Sequence, residues 1–422
     1  MSTAFPNPPS DVAAPPPSKP GVLRETFRGF HYRNFRLMWF GAFTSTSGFF
    51  VQEVAQSWLV YDLTNSEFYL GLAAFLNGAP ILLLSLLGGV AADRMDRRKL
   101  LLASQYVQMS SALVLAALVA LGMIEVWHIL AAAFVNGLGQ AFGGPAFQAL
   151  IPSLVDKEDL PNAIALMSIQ FTLARVVGSV AGGMAFGILG AFACFAINGA
   201  SFLAVILSLY VIQVRFVPKK TDVHVLESLK EGLRFVYRNH VILALVILAP
   251  VTAFLGVPLV TLLPVFARET FHLDPQGYSM MLAFWGSGAV VGALHCAWLG
   301  NAPNKGRTTL LMQVGLGVTI TAFALSGNLW VACGFLFFSG WAVLAVFALV
   351  NSLVQLQAQE EMRGRIMSVY HTAFRGAMPL GNLAIGALAN QIGASAAISG
   401  SGVLLALVAV WYLLRDKQVT QL

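Results

Sequence analysis

The sequence predicts an all-α membrane protein in which twelve transmembrane helices form two six-helix bundles. Hydrophobic residues make up 57% of the 422 residues and charged residues only 10%, whereas a soluble domain carries about 25% charged residues. The chain also contains twelve apolar runs long enough to cross a bilayer, which takes roughly 20 residues of helix. These runs must be helical because lipid offers the backbone no hydrogen-bond partner.

The apolar runs divide the chain into five parts. Residues 1–36 form a cytoplasmic segment, with a disordered proline-rich tail followed by basic residues. Residues 37–212 form the N-terminal bundle, 213–240 a cytoplasmic linker, 241–414 the C-terminal bundle and 415–422 a cytoplasmic tail. The predicted spans are 37–61, 69–92, 99–121, 126–149, 162–186, 190–212, 241–265, 278–299, 308–327, 329–351, 365–390 and 394–414.

Lys and Arg lie almost entirely on one side of these spans. Of the 25 basic residues, 22 fall on the side of the two termini, and only Arg268 falls on the other. Cytoplasmic loops carry this excess in membrane proteins, so both termini are predicted to be cytoplasmic. The same topology accounts for the net charge of +6, so the charge does not indicate nucleic-acid binding.

The linker carries an amphipathic pattern. Apolar and basic residues alternate at helical spacing, namely Leu226, Leu229, Leu233 and Val236 with Lys230, Arg234 and Arg238. This pattern predicts a helix lying on the cytoplasmic leaflet. The two halves also repeat at an offset of 200 residues, with Met167-Ser168, Thr172 and Arg175 matching Met367-Ser368, Thr372 and Arg375. Parallel repeats around a central cavity are typical of transporters.

The loop after the second span reads Gly88-Gly89-Val-Ala-Ala-Asp93-Arg94-Met-Asp96-Arg97-Arg98. It resembles the signature of the major facilitator superfamily between helices 2 and 3, with matches at Gly89, Asp93, Arg94, Arg97 and Arg98. Asp96 replaces the second glycine, which leaves the turn geometry open. The resemblance implies a cytoplasmic latch between the halves.

In this latch the Asp93 carboxylate would lie near the N-terminus of helix 11, where the helix dipole favours a negative charge. Its basic neighbours can pair with acids such as Asp156 or Glu158. The alternative is that these basic residues only determine topology.

Three further segments resemble one bacterial branch of this superfamily. They are 51–61, 263–268 with Gly277-Tyr278, and 363–368. This branch contains enterobactin exporters and drug:proton antiporters of the macrolide-efflux type. The likeness covers residues 30–415 and implies efflux by alternating access, with a cargo that varies within the branch.

Helix 5 contains Gly178-Ser179-Val-Ala-Gly182-Gly183. This segment resembles the antiporter motif Gly-Pro-x-x-Gly-Gly, with Ser179 in place of proline. Glycines allow two helices to approach closely. The alternative is ordinary small-residue packing, which an importer would share.

Glu53 is the single acid well inside a predicted span. It lies nine residues from Asp62 at the outer end, which is about 13 Å along a helix. A charge at that depth must face a polar cavity or be neutralised, so Glu53 is the candidate for proton coupling. The alternatives are a structural glutamate and one in a watery outer vestibule.

Other polar residues inside the spans are candidates for lining the cavity. Arg175 and Arg375 are the two cations at mid-membrane, where they either favour an acidic cargo or brace helices through carbonyls. His295 and His371 are alternative proton carriers. Gln52 and Gln56 are further candidates because they give helix 1 a polar side near Glu53. For the last three candidates, Asn77, Asn136 and Gln140, cavity lining and interhelical hydrogen bonding are both open.

The sequence shows no ATP-binding, nucleophile or metal-ligand motif. We therefore expect no enzymatic activity and no cofactor or metal, with transport driven by a gradient. The expected partners are a small-molecule cargo, protons and the lipid bilayer, with no nucleic acid, and the monomer is expected to function. The predicted activity is proton-coupled export of a drug, siderophore or secondary metabolite. A nutrient facilitator or importer is the main alternative, and a non-transporting membrane partner or sensor is a third.

Overall fold

The computed structural model describes residues 27–212, 225–299 and 304–422, except the side chains of 225–229 and 297–299. The predicted disordered tail and residues 213–224 of the predicted linker lie outside the described residues, as do the side chains of Leu226 and Leu229. Every regular element within the described ranges is a helix or a helical turn, which confirms the predicted all-α class. Below, residues 27–212 are called the first half and residues 225–422 the second half.

The helices follow each other with short connections. The long ones are α1 (Arg33–Thr64), α2 (Glu67–Arg94), α3 (Arg97–Ala120), α4 (Val126–Leu150), α5 (Leu160–Val211), α6 (Val225–Arg238), α7 (His240–Gly256), α8 (Pro275–Leu299), α9 (Lys305–Leu325), α10 (Leu329–Gln357), α11 (Arg363–Ile392) and α12 (Ala394–Arg415). Short helical turns occupy Arg28–His31, Ile151–Ser153, Pro258–Thr261, Leu263–Val265, Phe266–Thr270 and Lys417–Thr420.

Helix α5 is too long to cross a bilayer once, because its 52 residues would extend about 78 Å. It bends at Gly190, whose φ of 75° and ψ of −177° are open essentially only to glycine. The bend separates a first arm (160–189) from a second arm (191–211), where the sequence predicts two spans. By length and composition, eight helices of the described ranges can cross a membrane, with α5 as one of them. The count of twelve spans stays a prediction.

Each half has its own apolar core, and a third core joins them. Phe35, Leu101 and Leu166 belong to a buried cluster confined to the first half. The largest cluster includes Val54 of α1 and Tyr278 of α8, so it crosses between the halves.

The connections between the halves lie in the middle and at one end. We call the end that carries Arg97, Lys157 and the start of α11 the basic end, and the other the opposite end. At the opposite end, Ser66 Oγ donates to Asn390 Oδ1 over 2.7 Å.

Small residues let the two halves approach closely along α2 and α11. Gly71 of α2 lies against the backbone of Asn382 in α11, and Gly78 lies against Pro379. All these contacts lie away from the basic end. We therefore interpret the conformation as open toward the basic end and closed at the opposite end.

Candidate functional site

Glu53 of α1 has residues of both halves in its surroundings. Its side chain is exposed, although its chain neighbours Gln52 and Val54 are only 2% and 1% exposed. The Glu53 charge acts on Arg175 in the first arm of α5 and on Tyr278 in α8. Because Tyr278 belongs to the second half, the Glu53 charge acts across the boundary between the halves.

Arg175 lies between aromatic rings of both halves. Its guanidinium carbon is 4.4 Å from the centre of the Trp285 ring in α8 and 5.5 Å from that of Phe50 in α1. A guanidinium remains charged in proteins and is attracted to the face of an aromatic ring. Arg175 and Glu53 interact through their charges, but within the described ranges they form no ion pair within 4.0 Å. The Arg175 side chain therefore connects the acid in α1 to α8 in the other half.

Aromatic side chains surround this charged pair. The Phe171 ring is 5.7 Å from Phe50 and the Phe171 side chain is 53% exposed. On the other side, the rings of Trp58 and Tyr278 are 6.1 Å apart. The space next to Glu53 thus combines one acid and one cation with large apolar surfaces, which suits an amphipathic ligand.

The second half contributes a second cation on α11. His371 and Arg375 are both exposed, one helical turn apart, and Arg375 acts electrostatically on His371. Phe374, between them in sequence, packs on Phe347 of α10 with ring centres 4.7 Å apart. Arg375 occupies the position that matches Arg175 at the offset of 200 residues.

Two of the predicted cavity residues make interhelical hydrogen bonds within the first half. Gln52 is buried, accepts a 2.7 Å hydrogen bond from Asn198 and donates to Gln56 over 3.3 Å. Gln140 donates to Gln108 of α3 over 3.3 Å. The structure therefore places Gln52 and Gln140 in hydrogen bonds inside the first half.

Asn136 is buried with 5% exposure, and Asn77 is half-buried. In the second half, His295 contacts Trp341, whose indole N–H donates to His295 Nδ1 over 3.2 Å. None of these three polar residues is brought to Glu53 by a described contact.

The residues of the predicted latch lie at the basic end within the first half. Asp93 is 3.9 Å from Arg97, and Arg97 donates to the carbonyl of Ala149 over 2.9 Å. Arg98 donates to the Tyr210 carbonyl over 3.0 Å. Arg94 is exposed, and Gly89 has open space around it.

Asp96 explains how this loop dispenses with the second glycine. Its backbone is extended, with φ −61° and ψ 110°, so no glycine conformation is needed. Its side chain caps α3 by accepting hydrogen bonds from the backbone N–H groups of Arg98 and Lys99. This N-cap satisfies donors that the first turn of a helix leaves free.

In the described part of the chain, Asp156 is hydrogen-bonded to Tyr32, the residue before α1. Tyr32 donates to Asp156 over 3.0 Å and to Asp159 over 2.8 Å. These hydrogen bonds, the one to Asp159 foremost, raise the pKa of Tyr32 to about 12. The Arg28 guanidinium lies 3.8 Å from Asp159. The beginning of α1 is thus tied to the start of α5.

The glycines of the antiporter-like motif lie at two helix crossings. Gly178 and Gly182 pack on the backbone of α1, at Ser47 and Val51. A Cβ at Gly183 would overlap the side chain of Ser279 in α8. Gly183 therefore marks a point where the two halves touch.

Two features of this arrangement could not be predicted from the sequence, namely the rings around Arg175 and an ion pair at the opposite end. Trp285 and Phe50 carry the guanidinium of Arg175, but aromatic residues that face lipid look the same in sequence. Arg268 and Asp62 form a 2.9 Å ion pair across the halves at the opposite end. Arg268 is the one basic residue on the side of the predicted spans opposite to the termini. This position could have indicated that Arg268 has a partner there.

A separate groove in the described part of the molecule lies away from Glu53. It has a volume of about 550 Å³ and runs between α3 and α4, with Val107, Val114 and Trp127 in its lining. None of the predicted site residues lines it. Within the described residues, no group of three or more His, Cys, Asp or Glu side chains could hold a metal ion.

The family profile described as "Transmembrane secretion effector" matches residues 25–420. Macrolide efflux protein A of Streptococcus pyogenes is 23% identical over 391 residues, which cover 90% of this chain and 96% of that protein. The multidrug efflux pump Tap of Mycolicibacterium fortuitum is 26% identical, with 89% and 94% covered. The enterobactin exporter EntS of Escherichia coli O1:K1 is 26% identical, with 88% and 89% covered.

Solved structures with the same fold are more distant in sequence. A bacterial homologue of the human lysosomal transporter Spinster superimposes with a TM-score of 0.69 at 14% identity, covering 93% of this chain and 97% of that one. The nucleoside transporter NupG gives a TM-score of 0.69 at 10% identity, with 91% and 99% covered.

Proposed function

Since this chain belongs to the transmembrane secretion effector family of major facilitator transporters, we propose that it exports an amphipathic small molecule in exchange for protons. The protein is a multi-pass membrane transporter and not an enzyme. The observation that carries the proposal is the arrangement of Glu53, Arg175 and Trp285, which links an acid in α1 to a helix of the other half.

This arrangement can couple protonation to conformation. Deprotonated Glu53 attracts Arg175, whereas protonated Glu53 does not. Because Arg175 also lies on Trp285, its position affects the contact between the first arm of α5 and α8. A proton on Glu53 thereby acts on the equilibrium between the two access states, provided that the two states bind the proton with different affinity.

The cargo is proposed from the character of the cavity and from the relatives. Phe50, Phe171 and Trp285 supply apolar surface beside the charges of Glu53 and Arg175. The relatives named for macrolide, multidrug and enterobactin efflux all move compounds out of cells. For antiport, cargo and proton must compete, so the cargo should offer Glu53 a positive charge or a hydrogen-bond donor.

The direct test is transport into inverted membrane vesicles with an imposed proton gradient, using a macrolide, a cationic dye and a catechol-bearing siderophore. We expect at least one of these compounds to accumulate, and we expect a protonophore to abolish the accumulation. Adding this compound to vesicles with an acidic interior should also release protons from them. Accumulation that is indifferent to the protonophore would favour a facilitator or an importer. No movement of any compound in either direction would favour a non-transporting role.

We further propose that the protein lies in the inner membrane of a bacterium with its basic end in the cytoplasm. In this proposal, residues 37–212 and 241–414 are two bundles of a functional monomer, which rock around the central cavity. Asp93 joins the start of α11 when the basic end closes, which would engage the latch. In that closed state Asp93 would approach Arg365 of α11. Here the Arg365 guanidinium is paired with Glu231 of α6 over 2.5 Å.

The proposed topology predicts which thiols can be labelled from each side. Lys157 and His272 are both exposed and lie on opposite sides of the spans. In a chain with its three native cysteines replaced by alanine, Lys157→Cys should react with an impermeant maleimide only in inverted vesicles. His272→Cys should react only in intact cells. The reverse pattern would contradict the proposed orientation.

The ion pair between Asp62 and Arg268 should favour closure of the opposite end. Both side chains are partly exposed, at 51% and 35%, and such pairs contribute about 0–1 kcal/mol. We expect Asp62→Asn to raise the rate of labelling of a cysteine at Ser57 from the outside by up to about fivefold. The swapped pair, Asp62→Arg with Arg268→Asp, should restore the original rate. An unchanged rate in Asp62→Asn would remove this gate from the proposal.

A further inference from the structure

Helix α6 is fixed on the second half by one of its faces. Val236 is only 2% exposed, and Gly232 lies against the carbonyl of Arg365, at the start of α11. The Glu231 carboxylate is 2.5 Å from the Arg365 guanidinium. These contacts determine which face of α6 is turned toward the protein.

The other face of α6 is basic and partly apolar. Lys230, Arg234 and Arg238 are all exposed, and their spacing of four residues places them along one side of the helix. Leu233 is 46% exposed and Tyr237 is 76% exposed. Glu231 is the one acid of α6 whose side chain is described, and its charge is neutralised by Arg365. The sequence pattern assigned Leu233 to the same apolar stripe as Val236, but the structure turns Leu233 outward.

We propose that this outer face of α6 binds anionic phospholipids of the cytoplasmic leaflet. The three cations would contact phosphate-bearing headgroups, and Leu233 and Tyr237 would enter the boundary between headgroups and acyl chains. Charge complementarity selects this partner, because the cytoplasmic leaflet carries anionic lipids that attract basic segments next to a membrane. The orientation rests on the proposed topology.

The binding has a consequence for α11. Because α6 is tied to the start of α11 through Glu231 and Gly232, lipids that hold α6 at the membrane surface also restrain this end of α11. Helix α11 packs on α2 across the halves, where Gly71 meets Asn382. Anionic lipids should therefore affect the movement of the two halves and not only the anchoring of the protein.

The test is a titration of the purified, delipidated full-length protein with phosphatidylglycerol, followed by native mass spectrometry. Each cation near an anionic surface strengthens binding by roughly fivefold. We expect the triple variant Lys230→Gln, Arg234→Gln, Arg238→Gln to lose the tightest bound lipid, with at least a roughly tenfold weaker affinity. Phosphatidylcholine should bind the unaltered protein no better than it binds the triple variant. Salt at about 1 M should reduce the difference, because it screens charges beyond a few ångströms.

The matched control removes three exposed cations of the same predicted side on other elements, with Lys99→Gln, Lys157→Gln and Lys417→Gln. It should retain the tightest bound lipid. Equal losses in the two triple variants would mean general charge attraction and would overturn the proposed site, as would full binding by the α6 variant. Because the assay requires no transport, its outcome is independent of whether the protein exports anything.

Discussion

Replacing Glu53 with glutamine is expected to abolish proton-driven accumulation of cargo while cargo still binds. Glutamine preserves the size of the side chain and most of its hydrogen bonding, but it cannot release a proton. The charge that acts on Arg175 is then absent in both access states, so a gradient has nothing to act on. We expect gradient-driven uptake into inverted vesicles to fall to the level of empty vesicles. Equilibrium binding should change little.

Two companion variants make this result specific. Glu360→Gln removes an exposed acid in the loop before α11 and should leave uptake unchanged. Glu53→Asp retains a titratable carboxylate and should retain part of the uptake. Full gradient-driven activity in Glu53→Gln would end the coupling role of this residue. His371, or His295 beside Trp341, would then be the next carrier to examine.

Substituting alanine for Gly183 is expected to disturb closure of the opposite end. The added Cβ would overlap the Ser279 side chain of α8, and overpacking of this kind costs about 1–3 kcal/mol. If the whole cost falls on the closed state, its population relative to the open state drops by about five- to 150-fold, at 1.4 kcal/mol per factor of ten. Spin labels at Leu63 and Thr270, near the ends of the two halves, should report longer distances by double electron–electron resonance.

The space around other residues supplies the controls for Gly183→Ala. Gly144 of α4 has no atom within 4 Å of where its Cβ would lie, so Gly144→Ala should leave both the distances and the transport rate unchanged. Adding Ser279→Gly to Gly183→Ala returns the missing space and should restore the short distance. If Gly183→Ala alone leaves the distances unchanged, the contact between α5 and α8 does not govern closure.

The sequence was sufficient for the fold class because lipid imposes so strong a constraint on the backbone. It also located Glu53 and Arg175, since a charge within an apolar run is conspicuous. Even the division of α5 was visible, as the gap between two predicted spans, 187–189, ends just before the bend at Gly190. These features depend on local composition, which requires no knowledge of what lies opposite.

The partners of those charges were not predictable, because they depend on how helices face each other. Trp285 differs in no visible way from an aromatic residue in contact with lipid, yet it carries the Arg175 guanidinium. Gln52 is predicted as a cavity residue from its polarity, and its hydrogen bond from Asn198, 146 positions away, could not be predicted. Polarity inside a span indicates that a partner exists and leaves open whether that partner is cargo, water or another helix.

The contact of Gly78 with Pro379 makes α2 a lever with a fulcrum near its middle. From Gly78 to Asp93 are 15 residues, or about 22 Å of helix. Each degree of tilt about this point therefore moves Asp93 sideways by about 0.4 Å, and a tilt of about 20° moves it about 8 Å. The glycine crossing itself need shift by only a fraction of an ångström. Because α2 acts as a lever, the close-packed contact at Gly78 can persist while the end of the helix that carries Asp93 moves by about the width of a small molecule.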